Sequence, residues 1–219
     1  EKQAAVNRFI PLSALGEGQY GAVYLAYDNL SCKQVAVKQI KLPIDSQGIH
    51  PTSLREIAIL RSLAHKNILP LEGVDYQLSQ EGDRPGWLFL IFPPMDIDLS
   101  KFIRRKEYQP KYTFIKHVMY QIFEGIHYLH SNQVLHRDLK PANILINHHT
   151  DHIRICDFGL SRVVHMPLRQ YSNEILTLWY RCPELCNKDE KNYSIGVDMW
   201  SIGCIFYELM TGTDRKSVV

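Results

Sequence analysis

Three glycines near the start of the sequence have a spacing that suits a phosphate. Gly16, Gly18 and Gly21, followed by Val23, form the pattern GxGxxGxV. A turn built from glycines lets backbone N–H groups approach phosphate oxygens without obstruction by side chains. A dinucleotide-binding loop would open a helix after the last glycine, and a Walker loop would end in Gly-Lys-Ser/Thr, whereas here a strand continues. Taken alone, the spacing also fits a plain hairpin with glycines at its turn.

A lysine in the next predicted strand is the second candidate for chemistry. Lys38 ends the segment VAVK, and strand alternation places its side chain on the same face as Ala36. A lysine that points into a folded unit needs a counter-charge, which Glu56 on the following predicted helix could supply. Ser53 and Glu56 also match a capping box, in which the glutamate only satisfies the helix N-terminus. This segment alone favours the cap, and only the other motifs of the chain favour the ion pair.

Apolar patterning divides the elements that position these residues into two regions. Alternating or continuous apolar runs predict strands over 20–27, 34–40, 88–92, 144–146 and 153–155. Apolar residues at helical spacing predict a helix that opens at Pro51 and helices over 114–131 and 197–211. We therefore expect an α+β fold, with a β-rich lobe over residues 1–94 and a mainly helical, incomplete lobe over residues 95–213.

Composition excludes several classes of protein. The 219 residues are 45% hydrophobic and 22% charged, which is ordinary globular usage and allows one sizeable core or two small lobes. A net charge of +2 argues against nucleic acid or a membrane surface as partner. No apolar run approaches the roughly 20 residues of a membrane-spanning helix. Five cysteines without CxxC spacing indicate a reducing compartment, so we expect the nucleus or cytoplasm.

The sequence HRDLKPAN at residues 136–143, followed by DFG at 157–159, decides between these alternatives. Together with the glycine loop, VAVK and the CPE segment at 182–184, these motifs occur in the order that protein kinases show. From Phe9 to Gly212 the chain thus resembles a eukaryotic protein kinase. The resemblance implies a bilobal kinase fold, ATP and Mg²⁺ as cofactors, and phosphorylation of protein serine or threonine.

Individual roles follow from the resemblance. Asp138 would accept or orient the proton of the substrate hydroxyl, and Lys140 would neutralise charge on the transferring phosphate. Lys38 would hold the α- and β-phosphates once Glu56 orients it. The implied magnesium ligands are Asn143 and Asp157, and Asp198 would support the catalytic loop. The implied nucleotide-binding residues, besides Lys38, are Gly16, Gly18, Gly21, Val23, Ala36, Phe92, Met95, Asp98 and Leu145.

Two further segments resemble cyclin-dependent kinases in particular. WYRCPE at 179–184 is similar to their WYRAPE block, and HPTSLRE at 50–56 is similar to the helix that docks on a cyclin. The resemblance therefore implies a cyclin-like activator. It also implies that an upstream kinase phosphorylates Ser172, whose phosphate Arg55, Arg137 and Arg162 would gather. Further regulatory candidates are Tyr20 and Thr177, and Arg181 is similar to the arginine that favours Ser/Thr-Pro substrates.

Rival interpretations remain open at this point. A catalytically inactive pseudokinase or binding scaffold would be expected to lack a catalytic residue, yet Lys38, Glu56, Asp138, Asn143 and Asp157 are all present. A kinase for small molecules is disfavoured by the cyclin-helix resemblance. Residues 214–219 back-translate to a sequence similar to a common sequencing adapter, so we expect a non-native tail there; a genuine polar tail is the alternative.

Overall fold

The computed structural model describes residues 8–18, 21–42, 51–77, 86–109, 111–159, 161–163, 178–183 and 194–213. The chain divides into two compact units. The first comprises Glu1–Ser62 and Leu69–Met95, and the second comprises Leu63–Ile68 and Asp96–Val219. The predicted α+β class is confirmed, because the first unit is built on an antiparallel sheet and the second contains long helices. Among the described helices, none is long and apolar enough to cross a membrane.

In the residues that the structure describes, the first unit contains one helix and a five-stranded antiparallel sheet with the order β1-β2-β3-β5-β4. Its elements are β1 (Phe9–Gly18), β2 (Gly21–Asp28), β3 (Lys33–Lys41), α1 (Pro51–Ser62), β4 (Gly73–Gln77) and β5 (Trp87–Phe92). The predicted strands are present and differ from β2, β3 and β5 by one residue at some ends. Sequence patterning did not predict β1 or β4.

Strand alternation gives the two faces of this sheet different roles. One face is the core of the unit, formed by Ala26, Val35, Val37, Phe89 and Ile91, with Phe9, Tyr24 and Trp87 packed against it. Burial of Tyr24 there raises the pKa of its hydroxyl. Residues of opposite parity, including Val23, Ala36 and Lys38, project from the other face.

An ion-pair cluster ties Arg8, the residue before β1, to the end of β2 and the middle of β4. Arg8 donates from Nε and Nη2 to the two carboxylate oxygens of Asp28 at 3.0 and 3.1 Å, and from Nη1 to Asp75 at 2.7 Å. The hydrogen bond from Arg8 outweighs burial and lowers the pKa of Asp28 to about 2. The same contact with Asp28 raises the pKa of Arg8. Because the guanidinium group binds both carboxylates, it fixes three strands of the sheet.

The second unit combines two long helices with short strands. Its elements are β6 (Ile97–Asp98), α2 (Leu99–Ile103), α3 (Tyr112–Ser131), β7 (Val134–Leu135), β8 (Ile144–Asn147), β9 (His152–Ile155), β10 (Arg162–Val163) and α4 (Gly196–Thr211). The strands form two sheets with the orders β6-β8-β9 and β10-β7. Short 3₁₀ turns occupy Pro141–Asn143 and Leu178–Tyr180. The long predicted helices are confirmed, with α3 beginning two residues before the predicted start at residue 114.

Residues Leu63–Ile68 are part of the second unit, although the sequence interpretation placed them within residues 1–94. The side-chain amide of Asn67 explains this position, because its Nδ2 donates to Gln121 on α3 at 3.1 Å and to the carbonyl of Ile153 at 3.0 Å. The Asn67 carbonyl accepts the N–H of Ile155 at 2.9 Å. Since these groups are buried, their hydrogen bonds hold the segment against α3 and β9.

Candidate active site

One buried carboxylate binds the backbone at the start of the HRDLKPAN segment. Asp198, on the first turn of α4, accepts the N–H of His136 at 3.0 Å and the N–H of Arg137 at 2.8 Å. Its Oδ2 also lies 2.9 Å from Nε2 of His130, the penultimate residue of α3. Asp198 has no solvent exposure, so a charged carboxylate is tolerated only because these donors surround it. The supporting role that the resemblance implied for Asp198 is thus visible in its contacts.

The charge state of Asp198 follows from the same surroundings. Burial by itself would raise its pKa, but the hydrogen bond with His130, the charge of His136 and the backbone N–H groups of Arg137 and His136 outweigh burial. The net pKa is lowered, so the carboxylate stays ionised. An ionised Asp198 accepts hydrogen bonds from several donors at once, which a protonated carboxyl group could not do equally well.

The Asp138 carboxylate is fixed through one of its oxygens. Lys140 Nζ lies 2.7 Å from Asp138 Oδ2, and Asn143 Nδ2 donates to the same oxygen at 3.0 Å and to the Asp138 carbonyl at 2.8 Å. Among the described residues, Oδ1 of Asp138 accepts no hydrogen bond, so it can accept one from an incoming hydroxyl group. The structure thereby brings together Asp138, Lys140 and Asn143, three of the residues that the motif singled out.

Asn143 and Asp157 present the donor atoms that Mg²⁺ prefers. Both hydrogen bonds of the Asn143 side chain use Nδ2, which leaves its amide oxygen for a cation. Asp157 has an exposed carboxylate and a left-handed φ of 65°. The N–H of the preceding Cys156 donates to the Asn143 carbonyl at 2.9 Å, which links the two positions. A carboxylate and an amide oxygen are hard ligands, so these two residues fit Mg²⁺.

His136 and Phe158 position the backbone on either side of Asp157. His136 Nε2 lies 3.0 Å from the Cys156 carbonyl, and its ring meets the Phe158 ring edge-on with centroids 5.1 Å apart. Both side chains are fully buried. The HRDLKPAN and DFG segments are therefore packed directly against each other.

In the first unit, Lys38 and Glu56 form an ion pair. Lys38 Nζ lies 2.8 Å from Oε1 and 3.0 Å from Oε2 of Glu56. The Glu56 side chain is only 5% exposed, whereas that of Lys38 is 18% exposed. A nearly buried glutamate is stabilised by this partner. The sequence left the ion pair as one of two alternatives, and the structure shows that it is present.

The strand register places the other candidate nucleotide residues of the first unit beside Lys38. Val23 lies opposite Lys38, and Ala36 lies opposite Phe92. Ala36 and Phe92 are buried and Met95 is half-buried. Directly opposite residues on antiparallel strands share a face, so Val23, Ala36, Lys38 and Phe92 lie on one surface of the sheet.

The glycines of the loop differ in whether the structure has room for a side chain at their positions. Gly21 has a φ of 150°, and a Cβ atom there would lie 1.7 Å from the carbonyl oxygen of Gln39. A Cβ atom on Gly16 would meet nothing within 4 Å. The absence of a side chain at Gly21 is therefore required by the pairing of β2 with β3. Gly18 pairs with Gly21 at the end of the hairpin.

In the second unit, Asp98 and Leu145 lie opposite each other on β6 and β8. The Asp98 carboxylate accepts the N–H of Lys101 at 2.8 Å as the N-cap of α2, and lies 3.1 Å from the Lys101 ammonium group. A carboxylate has about four lone-pair positions, so capping leaves capacity for a further hydroxyl donor. The ribose contact of Asp98 stays a prediction.

The regulatory candidates fall largely outside the part of the chain that the structure describes. Tyr20, Ser172 and Thr177 lie outside the described residues, and only the backbone of Arg55 and Arg162 is described. Arg137 is half-buried with a left-handed φ of 70°. Arg181 is half-buried, and its buried Nη2 has no hydrogen-bond partner among the described residues.

One contributor to the site, His130, was missed by sequence reasoning. It occupies the last turn of α3 and contacts Asp198, which is 68 positions away in the sequence. No motif marks His130, because its function depends on a contact between two helices. The only available signal was a histidine at the end of a predicted apolar helix.

Comparison with known families matches residues 9–216 to the protein kinase domain. The chain belongs to the protein kinase family. This kinase domain is 45% identical over 213 residues to cyclin-dependent kinase B2-2 of Arabidopsis thaliana, across 95% of the chain and 66% of the relative. It is 42% identical over 207 residues to cell division control protein 2 homolog 3 of Trypanosoma brucei brucei, across 94% of the chain and 63% of the relative.

These matches confirm the resemblance to cyclin-dependent kinases that the motifs indicated. A third relative, cell division control protein 2 homolog D of Antirrhinum majus, is 41% identical over 214 residues, across 96% of the chain and 68% of the relative. The chain thus spans about two thirds of the length of the curated relatives it matches.

Proposed function

We propose that this kinase domain transfers the γ-phosphate of ATP to serine or threonine side chains of other proteins. The observation that carries the proposal is the geometry of Asp138, whose Oδ2 is held by Lys140 at 2.7 Å and by Asn143 at 3.0 Å. Phosphoryl transfer needs a group that orients the attacking hydroxyl and cations that offset negative charge in the transition state. Asp138 supplies the first and Lys140 the second.

Asp138 acts by accepting a hydrogen bond from the substrate hydroxyl at its remaining oxygen and taking its proton as the hydroxyl oxygen bonds to the γ-phosphorus of ATP. The bond between the γ-phosphorus and the β–γ bridging oxygen breaks in the same step, and ADP is the leaving group. The ammonium group of Lys140 offsets the charge that spreads over the phosphoryl oxygens. Asn143 keeps the carboxylate in one orientation, because its amide bridges the side chain and the backbone of Asp138. The three residues are separated by at most five positions, so their geometry is set locally.

Mg²⁺ is the proposed metal cofactor, with Asn143 and Asp157 as its ligands. When bound, it would neutralise charge on phosphate oxygens. Lys38 binds the α- and β-phosphates of ATP in this proposal, and Glu56 keeps its ammonium group in place. The resemblance to protein kinases assigns adenine binding to Val23, Ala36, Phe92, Met95 and Leu145, and a ribose contact to Asp98. The apolar side chains of Ala36 and Phe92 support this assignment, since adenine sites are mostly apolar.

A cyclin-like protein is the proposed activator. The relatives named as cyclin-dependent kinases support this, together with the HPTSLRE sequence at the start of α1. Because α1 carries Glu56, a partner that binds α1 would act directly on the ion pair with Lys38. An upstream kinase would then phosphorylate Ser172, whose phosphate would bind Arg55, Arg137 and Arg162. Unchanged cyclin-bound activity of Ser172→Ala would contradict this switch.

Proteins with Ser-Pro or Thr-Pro sites are the proposed substrates. Arg181 supports this through its similarity to the arginine of proline-directed kinases. A proline after the acceptor loses no backbone hydrogen bond if no acceptor faces its nitrogen. A peptide library varied at this one position tests the proposal, because proline should be strongly preferred over alanine. Equal rates for the two peptides would refute it.

The protein is proposed to act in the nucleus or the cytoplasm, without nucleic acid or membrane as partner. The near balance of acids and bases supports the proposal that neither nucleic acid nor a membrane is a partner, and the cysteine spacing supports the proposed location. Imaging of the tagged full protein would test the location.

The proposed reaction is tested by incubating the protein with γ-labelled ATP, Mg²⁺, a candidate cyclin and protein, sugar or lipid acceptors. Label in phosphoserine or phosphothreonine of the protein acceptor is the expected result. Label only in a small-molecule acceptor would contradict protein phosphorylation. ATP binding without transfer to any acceptor would favour the inactive scaffold instead.

A further inference from the structure

Three side chains with metal-binding atoms meet where β6 begins and β8 ends, and none of them belongs to the kinase motifs. They are Asp96, which precedes β6, and His148 and His149, which follow β8. The antiparallel pairing of Ile97 with Ile146 brings the start of β6 next to the end of β8. The register of the sheet therefore places Asp96 beside the two histidines, although no short motif connects them.

The ligand atoms of these residues are close enough to share one ion. One carboxylate oxygen and one ring nitrogen from each histidine all lie within 4.8 Å of one another. Asp96 Oδ2 already contacts His148 twice, through ring Nδ1 at 2.8 Å and through the backbone N–H at 3.0 Å. The two imidazole rings lie with centroids 4.1 Å apart.

The turn that carries the histidines is fixed independently of any metal. Asn147 Oδ1 accepts hydrogen bonds from the N–H of His149 at 3.1 Å, and from the N–H and hydroxyl of Thr150 at 3.2 Å each. The backbone positions of both ligand histidines are therefore set, and only their side-chain torsions need to change on binding. All three ligand side chains are exposed, so an ion can reach them from solvent.

The geometry of the site needs only a small adjustment to accept a metal. In a tetrahedral site with bonds of about 2.0–2.1 Å, neighbouring ligand atoms are about 3.3 Å apart. The His148–Asp96 distance of 2.8 Å would increase slightly, and the wider separations, which are at most 4.8 Å, would decrease. Small torsional changes in the exposed side chains accomplish both.

We propose that Asp96, His148 and His149 form a binding site for a divalent transition-metal ion, with Zn²⁺ as the ion that fits best. Two imidazole nitrogens and one carboxylate oxygen are a donor set typical of zinc, with water completing the coordination. Imidazole also suits Ni²⁺ and Cu²⁺, whereas Mg²⁺ takes oxygen ligands. The site is therefore chemically distinct from Asn143 and Asp157, which offer oxygen only. It does not depend on the proposed kinase activity.

Calorimetric titration of the full chain with Zn²⁺, in buffer that contains millimolar Mg²⁺, tests the site directly. Asp96→Asn, His148→Ala and His149→Ala should each lower the affinity of one zinc site at least roughly tenfold, since even outer-sphere partners of a metal have effects of this size. His127→Ala is the matched control, because His127 is an exposed histidine of α3 in the same unit. This variant should bind zinc as the unmodified protein does.

A second measurement follows the unfolding temperature with Zn²⁺ or with a chelator. A ligand that binds the folded state raises this temperature, so zinc should raise it in the unmodified protein and in His127→Ala. The rise should be absent from a His148→Ala/His149→Ala double variant that unfolds normally in chelator. The proposal is overturned if the double variant retains both the zinc site and the rise, or if Mg²⁺ displaces Zn²⁺ from the site.

Discussion

Asp198 Oδ1 accepts the backbone N–H of Arg137 at 2.8 Å, at a residue whose φ of 70° is left-handed. A non-glycine residue in this region costs of order 1–3 kcal/mol, so surrounding contacts must compensate. Asp198 provides the compensation and thereby joins α4 to the segment that carries Asp138. The direction of the Asp138 carboxylate thus depends on a residue that never contacts it in the described structure.

Asp198→Asn is predicted to weaken this support. The amide has the same shape, but it replaces one acceptor oxygen by an NH₂ donor that faces the N–H of His136 or Arg137. We expect the free energy of unfolding to fall by about 2–3 kcal/mol, the cost of an unsatisfied buried group bonded to a charge. Urea unfolding measures this loss, with the exposed residue Glu107 changed to Gln as control. A loss equal to that of the control would contradict the role of Asp198.

Lys38→Met is predicted to reduce the rate of phosphorylation without unfolding the protein. The substitution keeps the length of the side chain but removes the charge that pairs with Glu56. The value of kcat/KM for ATP should fall by about 10²–10³-fold, as when one preorganised electrostatic group is removed from an active site.

The matched control for Lys38 lies on the same strand. Lys33, at the start of β3, is paired with Glu72 at 2.7 Å, but its side chain is 52% exposed. Lys33→Met should leave kcat/KM close to that of the unmodified protein, since exposed ion pairs contribute little. Similar losses in both variants would show that the effect is not specific to the pair with Glu56.

Gly21→Ala is predicted to destabilise the first unit, whereas Gly16→Ala is not. The new Cβ atom at position 21 would overlap the Gln39 carbonyl at 1.7 Å, and the φ of 150° disfavours any side chain. We expect a loss of about 2 kcal/mol or more in unfolding free energy at Gly21, and less than about 1 kcal/mol at Gly16. Hydrogen exchange of the β2 and β3 amides would report where the structure loosens. Equal effects of the two changes would contradict the steric argument.

Acid is predicted to remove the contribution of the Arg8–Asp28 pair to the free energy of unfolding. Because the pKa of Asp28 in the folded state is about 2, below the ordinary 3.8, the stabilisation is present above 3.8 and is lost as the pH falls through about 2. Allowing for solvent screening, its size is about 1–2 kcal/mol.

Urea unfolding between neutral and acidic pH checks this prediction. The difference in unfolding free energy between the unmodified protein and Asp28→Asn should shrink as the pH is lowered. Arg8→Met removes the cause of the lowered pKa, so it should show the same convergence with the unmodified protein. A difference that stays constant with pH would contradict the assignment.

Local sequence patterns predicted the residues of the candidate site better than the residues that hold those side chains in place. HRDLKPAN identified Asp138, Lys140 and Asn143 because their contacts span only a few positions, and the structure brings these side chains together. The Lys38–Glu56 pair required a choice between two local alternatives. Nothing in the sequence alone separates a capping glutamate from a paired one, because the difference lies in tertiary packing.

Contacts between distant segments were not predictable from spacing. Asn67 reaches Gln121 and the carbonyl of Ile153, which are 54 and 86 positions away, and this contact assigns Leu63–Ile68 to the second unit. The Asp96–His148 contact spans 52 positions and matches no ligand spacing. In each case an ordinary polar residue gains its role from a contact between distant segments, which a single sequence does not specify.

The most direct test of the account is the kcat of Asp138→Asn, measured on a Ser-Pro peptide with saturating ATP, Mg²⁺ and a cyclin. We predict a decrease of about 10²–10⁴-fold, the contribution typical of general acid–base catalysis, with ATP affinity unchanged. Asp151→Asn, at the turn before β9, is the control and should retain the unmodified rate. A kcat for Asp138→Asn equal to that of the control would contradict the assignment of Asp138 as the group that activates the substrate hydroxyl.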